Sequence, residues 1–335
     1  MKSNVSFYSE IPSEMSKEGK YDSIEKICNL SEKYGFTGSL IYYFNDALDP
    51  WTLATKVINT CENLIPLIAV QPYYVSPYTT AKIVKSIAAL YNRKVNLNFV
   101  TGINTSDLTS LGEITDPAKK FNRMQEYINI YSKIINSKDK VSFEGTYYNY
   151  HDLYSGPSID NSLIPEIFIP GSSQESIDLA LKVADTALIR PQPYKQFIEK
   201  YLTNISHSNM NFAIRISIIA RPSQDEAWKL AERRFKRDRR GEITTVMRSN
   251  SLSHNARTMA SLALTQEKFD DVYWMGGFLS GKTEDPYLVG SYSDVANYLN
   301  LYRNAGVNTF LIGNVSDNEE EVEHIAEVMR LVNNC

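Results

Sequence analysis

Leu64-Ile65-Pro66-Leu67-Ile68-Ala69-Val70 is followed, across the run Pro77–Tyr91, by Val95-Asn96-Leu97-Asn98-Phe99-Val100. The first segment is short and apolar. The last alternates apolar Val95, Leu97 and Phe99 with other residues. Both have strand length, and the segment between them reads as a helix. Strand, helix, strand in this order predicts a parallel sheet with crossover helices.

The same unit extends in both directions. Val5–Tyr8 reads as a first strand. Tyr21–Tyr34 carries Ile24, Ile27 and Leu30 at helical spacing, and Gly35 closes it. Ser39–Tyr43 is the next strand, and Pro50-Trp51 opens a helix at the position proline fits best. Downstream come a long helix over Pro117–Ile135, a strand at Glu166–Ile169, a helix at Gln174–Val183 and a strand at Thr186–Ile189. Gln192–Tyr201 reads as a helix, Asn211–Ile219 as a strand and Gln224–Arg240 as a helix. Asn308–Ile312 is the last strand, with a helix from Asn318 to Val332.

About eight strands, each followed by a helix, predict a single-domain α/β fold: a closed (β/α)8 TIM barrel, which leaves no sheet edge. An open doubly wound sheet is the alternative that alternation allows. Two stretches break the pattern. Residues 138–165 hold Val141–Tyr148, which reads as a small hairpin with a Glu-Gly turn. Residues 241–290 look irregular and read as a loop of lid type, with a helix-like fragment at Ala256–Leu264.

Of 335 residues, 43% are hydrophobic and 22% charged, ordinary for a chain with a large core. The net charge of −4 gives no general field for nucleic acid or an anionic membrane. No apolar run reaches membrane-spanning length, and the N-terminus does not read as a signal peptide. Cys28, Cys61 and Cys335 are too few and too scattered for a disulfide framework or a zinc site. That suits a reducing cytoplasm. Basic residues cluster at Arg233, Arg234, Lys236, Arg237, Arg239 and Arg240. This is a solvated helix face or a docking patch for an acidic partner.

Several stretches together resemble the luciferase-like monooxygenases, most closely their alkanesulfonate monooxygenase branch. They are Leu67–Pro72 with Ser76-Pro77, Asn98-Phe99-Val100-Thr101-Gly102, and Ile169-Pro170-Gly171-Ser172-Ser173. Phe212–Ser217 with Asp225–Trp228 and Ala231-Glu232-Arg233 is a fourth. Leu288-Val289-Gly290 with Ala305-Gly306-Val307 is a fifth. The resemblance covers residues 4–332. It implies a barrel using reduced FMN and O2, a separate flavin reductase, and a homo-oligomer. It further implies a small organic or carrier-protein-bound substrate.

Gly171-Ser172-Ser173 follows a strand and opens a helix, where unpaired amides and the helix dipole favour an anion. It reads as an FMN phosphate cradle or as an N-cap, and the two are compatible. The resemblance places Asn98, Thr101, Gly102 and Asn104 beside the flavin, and Ala69 with Gln71 against its other side. A cis peptide at Val70–Gln71 is expected on the same ground. Arg215, a charge inside an apolar strand, must be paired. It reads as a contact to a substrate anion or to the oxygenated flavin, or else as a salt bridge within the barrel. His254 is the one histidine held as a site candidate. Arg190 and Lys282 are candidates for contacting substrate.

Departures from the alkanesulfonate branch fall on its substrate set. Its histidine two positions after the arginine is Ser217 here, and its tryptophan after strand six is Arg190. Its tyrosine after strand eight is Val315, its Arg-Tyr pair is Lys120-Phe121, and its early cysteine falls around Ala47-Leu48. The segment Ser9–Ser13 lacks its N-terminal histidine. An alkanesulfonate substrate is therefore not expected. A two-component monooxygenase is the first reading, with hydride transfer involving FMN or a deazaflavin, or non-catalytic flavin binding, as alternatives.

Overall fold

The computed structural model describes residues 5–13, 15, 20–102, 105–112, 119–206, 210–251 and 253–334. Strands β1 (Ser6–Glu10), β2 (Gly38–Ile41), β3 (Ile65–Val70) and β4 (Asn96–Phe99) lie side by side and parallel. The hairpin β5 (Lys140–Glu144) and β6 (Asn149–Tyr154) forms a separate small sheet. The main series resumes with β7 (Ile167–Pro170), β8 (Thr186–Ile189) and β9 (Asn211–Arg221). Then come β10 (Lys268–Phe269), β11 (Tyr273–Trp274), β12 (Tyr287–Ser291) and β13 (Val307–Gly313). Because β13 pairs with both β1 and β9, and β9 with β8, eight parallel strands close into a ring. Closure leaves the expected barrel and rules out the open sheet.

Around the ring run α1 (Tyr21–Lys33), α2 (Pro50–Thr60), α3 (Pro77–Tyr91), the short α4 (Thr105–Ser110) and α5 (Lys120–Asn136). They are followed by α6 (Gln174–Val183), α7 (Tyr194–Ser206) and α8 (Gln224–Arg234). The last are α9 (Arg239–Ser249), α10 (His254–Thr265), α11 (Gly276–Leu279), α12 (Tyr292–Asn304) and α13 (Glu319–Asn333). Local chemistry sets their starts. Asp49 accepts the Thr52 amide at 2.8 Å and Ser76 the Thr79 amide at 3.1 Å, each just before a helix-opening proline.

Side chains alternate along each strand, so every second residue enters the barrel. Tyr8, Leu40, Leu67, Phe168, Leu188, Ala213 and Leu311 form one buried cluster apart from the core beneath the helices. The remaining strand, β4, contributes Asn96, whose amide donates to the Tyr8 hydroxyl at 3.0 Å. Gly38 makes room for that ring: a Cβ there would stand 2.4 Å from Tyr8. The layer above, two residues on, is polar and builds the mouth.

Three sequence expectations change. The helix expected over Gln224–Arg240 is two helices. Phe235 turns inward against Trp274 and Tyr287, and Asp238 caps a new start by accepting the Gly241 amide at 2.8 Å. The stretch 241–290, read as irregular, holds α9 to α11 and β10 to β12. Its last strand pairs in parallel with Ser217–Arg221, the part of β9 that rises beyond the ring. The cis bond expected at Val70–Gln71 is absent, as no cis peptide occurs among the described residues. No helix among the described residues is long and apolar enough to cross a membrane.

Candidate active site

The C-terminal ends of barrel strands carry the inward polar residues, the face where barrel enzymes place their chemistry. On β1 the residue above Tyr8 is Glu10, and on β9 the residue above Ala213 is Arg215. Arg215 Nη2 lies 2.9 Å from Glu10 Oε2 and 2.8 Å from Asp285 Oδ2. Arg190, just beyond β8, places Nε 3.4 Å from Asp285 Oδ1 and Nη2 3.2 Å from Glu284 Oε2. Arg248 of α9 completes the row, 3.7 Å from Glu284 Oε1. The six charges alternate in sign across the barrel mouth, from Glu10 to Arg248. Asp285 is 1% exposed, so neither it nor its partners sit in bulk solvent.

Each member is held further. Glu10 Oε1 accepts the Asn314 amide at 2.6 Å, and Glu10 Oε2 also accepts the Tyr42 hydroxyl. The Tyr42 ring lies under the Arg215 guanidinium, 5.1 Å from its centre. Asn314 Nδ2 donates to Ser217 Oγ at 2.9 Å, and Arg248 donates to the Thr283 carbonyl at 2.7 Å. Burial works against the Arg215 charge, but Asp285 and Glu10 outweigh it and hold its pKa above the ordinary value. Burial lifts the Asp285 carboxyl above the usual carboxylate range, against the pull of Arg215 and Arg190. Arg190, with Arg248, keeps Glu284 below it.

Arg215 therefore carries the salt bridge that its strand position demanded, and an incoming anion would have to share it with two carboxylates. Ser217 stands inside this network. Ala47 lines an apolar pocket beside Tyr42 with Ile11, Ile41, Phe44 and Leu53.

The second half of the site lies across the mouth. Ala69 on β3 and Asn98 on β4 are paired in register in one inward layer, and Gln71, just past β3, follows Ala69 two residues on. Asn98 is 4% exposed, and its Oδ1 has no hydrogen-bond partner among the described residues. After β7, Gly171 has φ +143° and gives its amide to the Leu188 carbonyl at 2.9 Å. A Cβ on it would meet Ser176 Oγ at 2.5 Å. Ser173 caps α6 by accepting the Ser176 amide at 3.3 Å. Ser172 is buried, and its hydroxyl has no partner among the described residues. A buried hydroxyl without a partner beside the unpaired amides of a ten-residue helix suits a bound anionic group.

His254 opens α10 near this turn. Burial, with Lys200 and Arg257 nearby, holds its pKa below the usual histidine value. Glu175, in the first turn of α6, is held low by its own amide and the Ser173 hydroxyl, with His254 and Lys120 contributing. Lys120 and His254 thus border the turn as positive or titratable groups. Thr101 lies half-buried after β4, and Asn104 lies outside the described residues. Lys282 is drawn to the far side, donating to the Arg234 carbonyl at 3.0 Å. Its neighbours Thr283, Glu284 and Asp285 enter the mouth instead.

Sequence reading missed Glu10, Tyr42, Glu284, Asp285 and Asn314. A signal existed for Glu10, an acid at an inward position of a strand that otherwise buries Tyr8. None existed for Asp285, whose partners lie far away in sequence.

The profile of the luciferase-like monooxygenase family matches residues 1–309. The chain is 38% identical over 334 residues to the 4-(gamma-L-glutamylamino)butanoyl-[BtrI acyl-carrier protein] monooxygenase BtrO of Niallia circulans, covering 98% of both chains. The fold is similar to EDTA monooxygenase from Chelativorans sp. BNC1, with TM-score 0.75 at 13% identity over 98% of this chain and 94% of that one. An F420-dependent secondary alcohol dehydrogenase gives 0.67 at 14% identity over 99% of each chain. At such identities the solved structures share the fold alone. The family profile and the extended relative together establish that this chain belongs to the luciferase-like monooxygenase family.

Proposed function

We propose that the chain is a two-component flavin monooxygenase, using reduced FMN and O2 to oxygenate an acyl group tethered to a carrier protein. The observation that carries this is the 38% identity, spanning 98% of both chains, to a monooxygenase named for a carrier-bound acyl substrate. Reduced FMN, when bound, supplies the electrons for O2 activation, and a separate flavin reductase supplies the reduced FMN.

The chain's own residues bind, orient and exclude water. Ser172, with the amides that open α6, holds the phosphate, and Gly171 lets that backbone approach closely. Ala69 and Gln71 would pack against the ring, and Asn98 would offer its side-chain carbonyl oxygen as an acceptor to the flavin. Thr101 extends the same wall. The Glu10–Arg215–Asp285 row fixes the opposite wall and keeps a polar surface facing the reacting oxygen. Arg190 stands where the substrate enters. The free, buried thiols of Cys28 and Cys61 fit work in a reducing compartment such as the cytoplasm.

The test is O2 consumption by the enzyme with photoreduced FMN and a carrier-bound acyl thioester, read with mass analysis of the acyl chain. A mass gain of one oxygen atom is expected. Hydride transfer to or from F420, with no oxygen gained, would replace this reading by that of a dehydrogenase.

A further inference from the structure

We propose that the exposed face of α9 is the docking surface for the acidic carrier protein that delivers the substrate, an inference that rests on the carrier-bound reading above. Helix α9 is amphipathic in an inverted sense. Gly241 and Thr245 are buried, and a Cβ on Gly241 would stand 2.6 Å from the Ser280 backbone. The opposite face exposes Ile243 (52%), Val246 (53%) and Met247 (69%) at three- and four-residue spacing. Surface helices normally turn such residues inward. A contiguous apolar group on a solvent face marks a contact surface.

Charge surrounds the apolar group. Arg239 and Arg240 occupy the first turn of α9, and Arg233 and Lys236 precede it, all exposed. Arg234 and Arg237 have acidic partners in Glu321 and Glu267. Arg233, Lys236, Arg239 and Arg240 have none among the described residues. Cations in a helix's first turn oppose its dipole. Two arginines there are an unfavourable choice for α9 itself and a useful one for an acidic visitor.

The location links this face to the chemistry. Arg248, on the same helix, reaches Thr283 and Glu284 at the mouth, one contact from Arg190. Nine residues of helix separate Arg239 from Arg248, about 14 Å at the α-helical rise. A partner seated on the first turns of α9 is therefore one long side arm away from the barrel interior. An acidic domain with an apolar helix face and a flexible thioester arm matches charge, surface and distance. A second copy of this chain does not, because a two-fold contact would set arginine against arginine.

The test uses the full-length enzyme with reduced FMN. Its substrate is 4-(gamma-L-glutamylamino)butanoyl thioester, on an acyl-carrier protein or on free pantetheine. Arg239→Glu with Arg240→Glu, and separately Met247→Ser, should raise KM for the carrier-bound thioester about tenfold or more. They should leave kcat/KM for the pantetheine thioester unchanged. Fluorescence anisotropy of labelled carrier protein gives a readout independent of turnover, and binding by wild type should weaken with salt. Unaltered carrier binding by the variants overturns the docking surface and leaves the carrier-bound reading intact. Wild type that binds no carrier and treats both thioesters alike overturns the reading itself. Variants that lose transfer from the flavin reductase assign the face to that partner and overturn the proposal. A changed oligomeric mass assigns it to self-association, with the same consequence.

Discussion

Replacing Arg215 with methionine removes the one cation that touches both Glu10 and Asp285. Glu10 keeps the Asn314 amide and the Tyr42 hydroxyl, and Asp285 keeps Arg190 at 3.4 Å. Breaking a buried pair from one side costs about 3–5 kcal/mol, because the stranded charge remains out of water. For 335 residues the unfolding entropy is roughly 0.7 kcal/mol/K, so Tm should fall about 4–7 °C. The sign of the pH dependence follows from Asp285. Its folded pKa is raised by burial, with Arg215 pulling it down, and losing Arg215 raises it further. A carboxyl with a raised folded pKa costs nothing below its unfolded pKa. The penalty grows as pH rises towards the folded value and is complete above it. The loss should therefore be small near pH 4 and larger at neutral pH. Urea unfolding at both pH values reads this, with Arg215→Met, Glu10→Gln, Asp285→Asn as a control in which no charge is stranded. Equal losses at both pH values, or a neutral-pH loss under about 1 kcal/mol, would refute the reasoning.

Two further predictions concern the anion turn. Ser172→Ala should weaken FMN binding about 10- to 100-fold, the value of one hydrogen bond to a charged group, while leaving Tm of the flavin-free chain unchanged, since that hydroxyl has no protein partner. Flavin titration by fluorescence quenching together with a melting curve checks both halves. Gly171→Ala should lower stability by about 1–3 kcal/mol, because φ is +143° and the new Cβ would press on Ser176. A melting curve matching wild type would count against the turn geometry.

The barrel was legible because its eight strands announce themselves locally. Runs such as Leu64–Val70 and Asn211–Ile219 are apolar, short and bounded by turns, and strand parity then orders Ala69, Asn98 and Arg215 onto one inward layer. The break at Phe235 was hidden because Gln224–Arg240 has no glycine or proline, the nearest being Gly241 just past its end. A buried aromatic, not a helix breaker, ends α8 there. Strand β12 was hidden because Tyr287–Ser291 is five residues long within polar sequence, and its partner is the overhang of β9. The charged row was half visible. Arg215 declares itself on a barrel strand and Arg190 just past one, whereas Asp285 gains its meaning only from a fold that returns the chain about 70 residues later.

That return has a consequence for how this lineage changes substrates. The excursion after β9 leaves by α8 and comes home through β12, whose hydrogen bonds to Ser217–Arg221 act as a weld. Asp285 stands just on the barrel side of that weld, and the Pro286 carbonyl accepts the Ser217 amide at 3.0 Å. The excursion is thus a cassette whose last charged residue belongs electrically to the barrel. A chimera that exchanges residues 239–283 with a relative keeps the Arg215 counter-charge. One cut a few residues later strands it, unless the donor supplies its own acid at that seam.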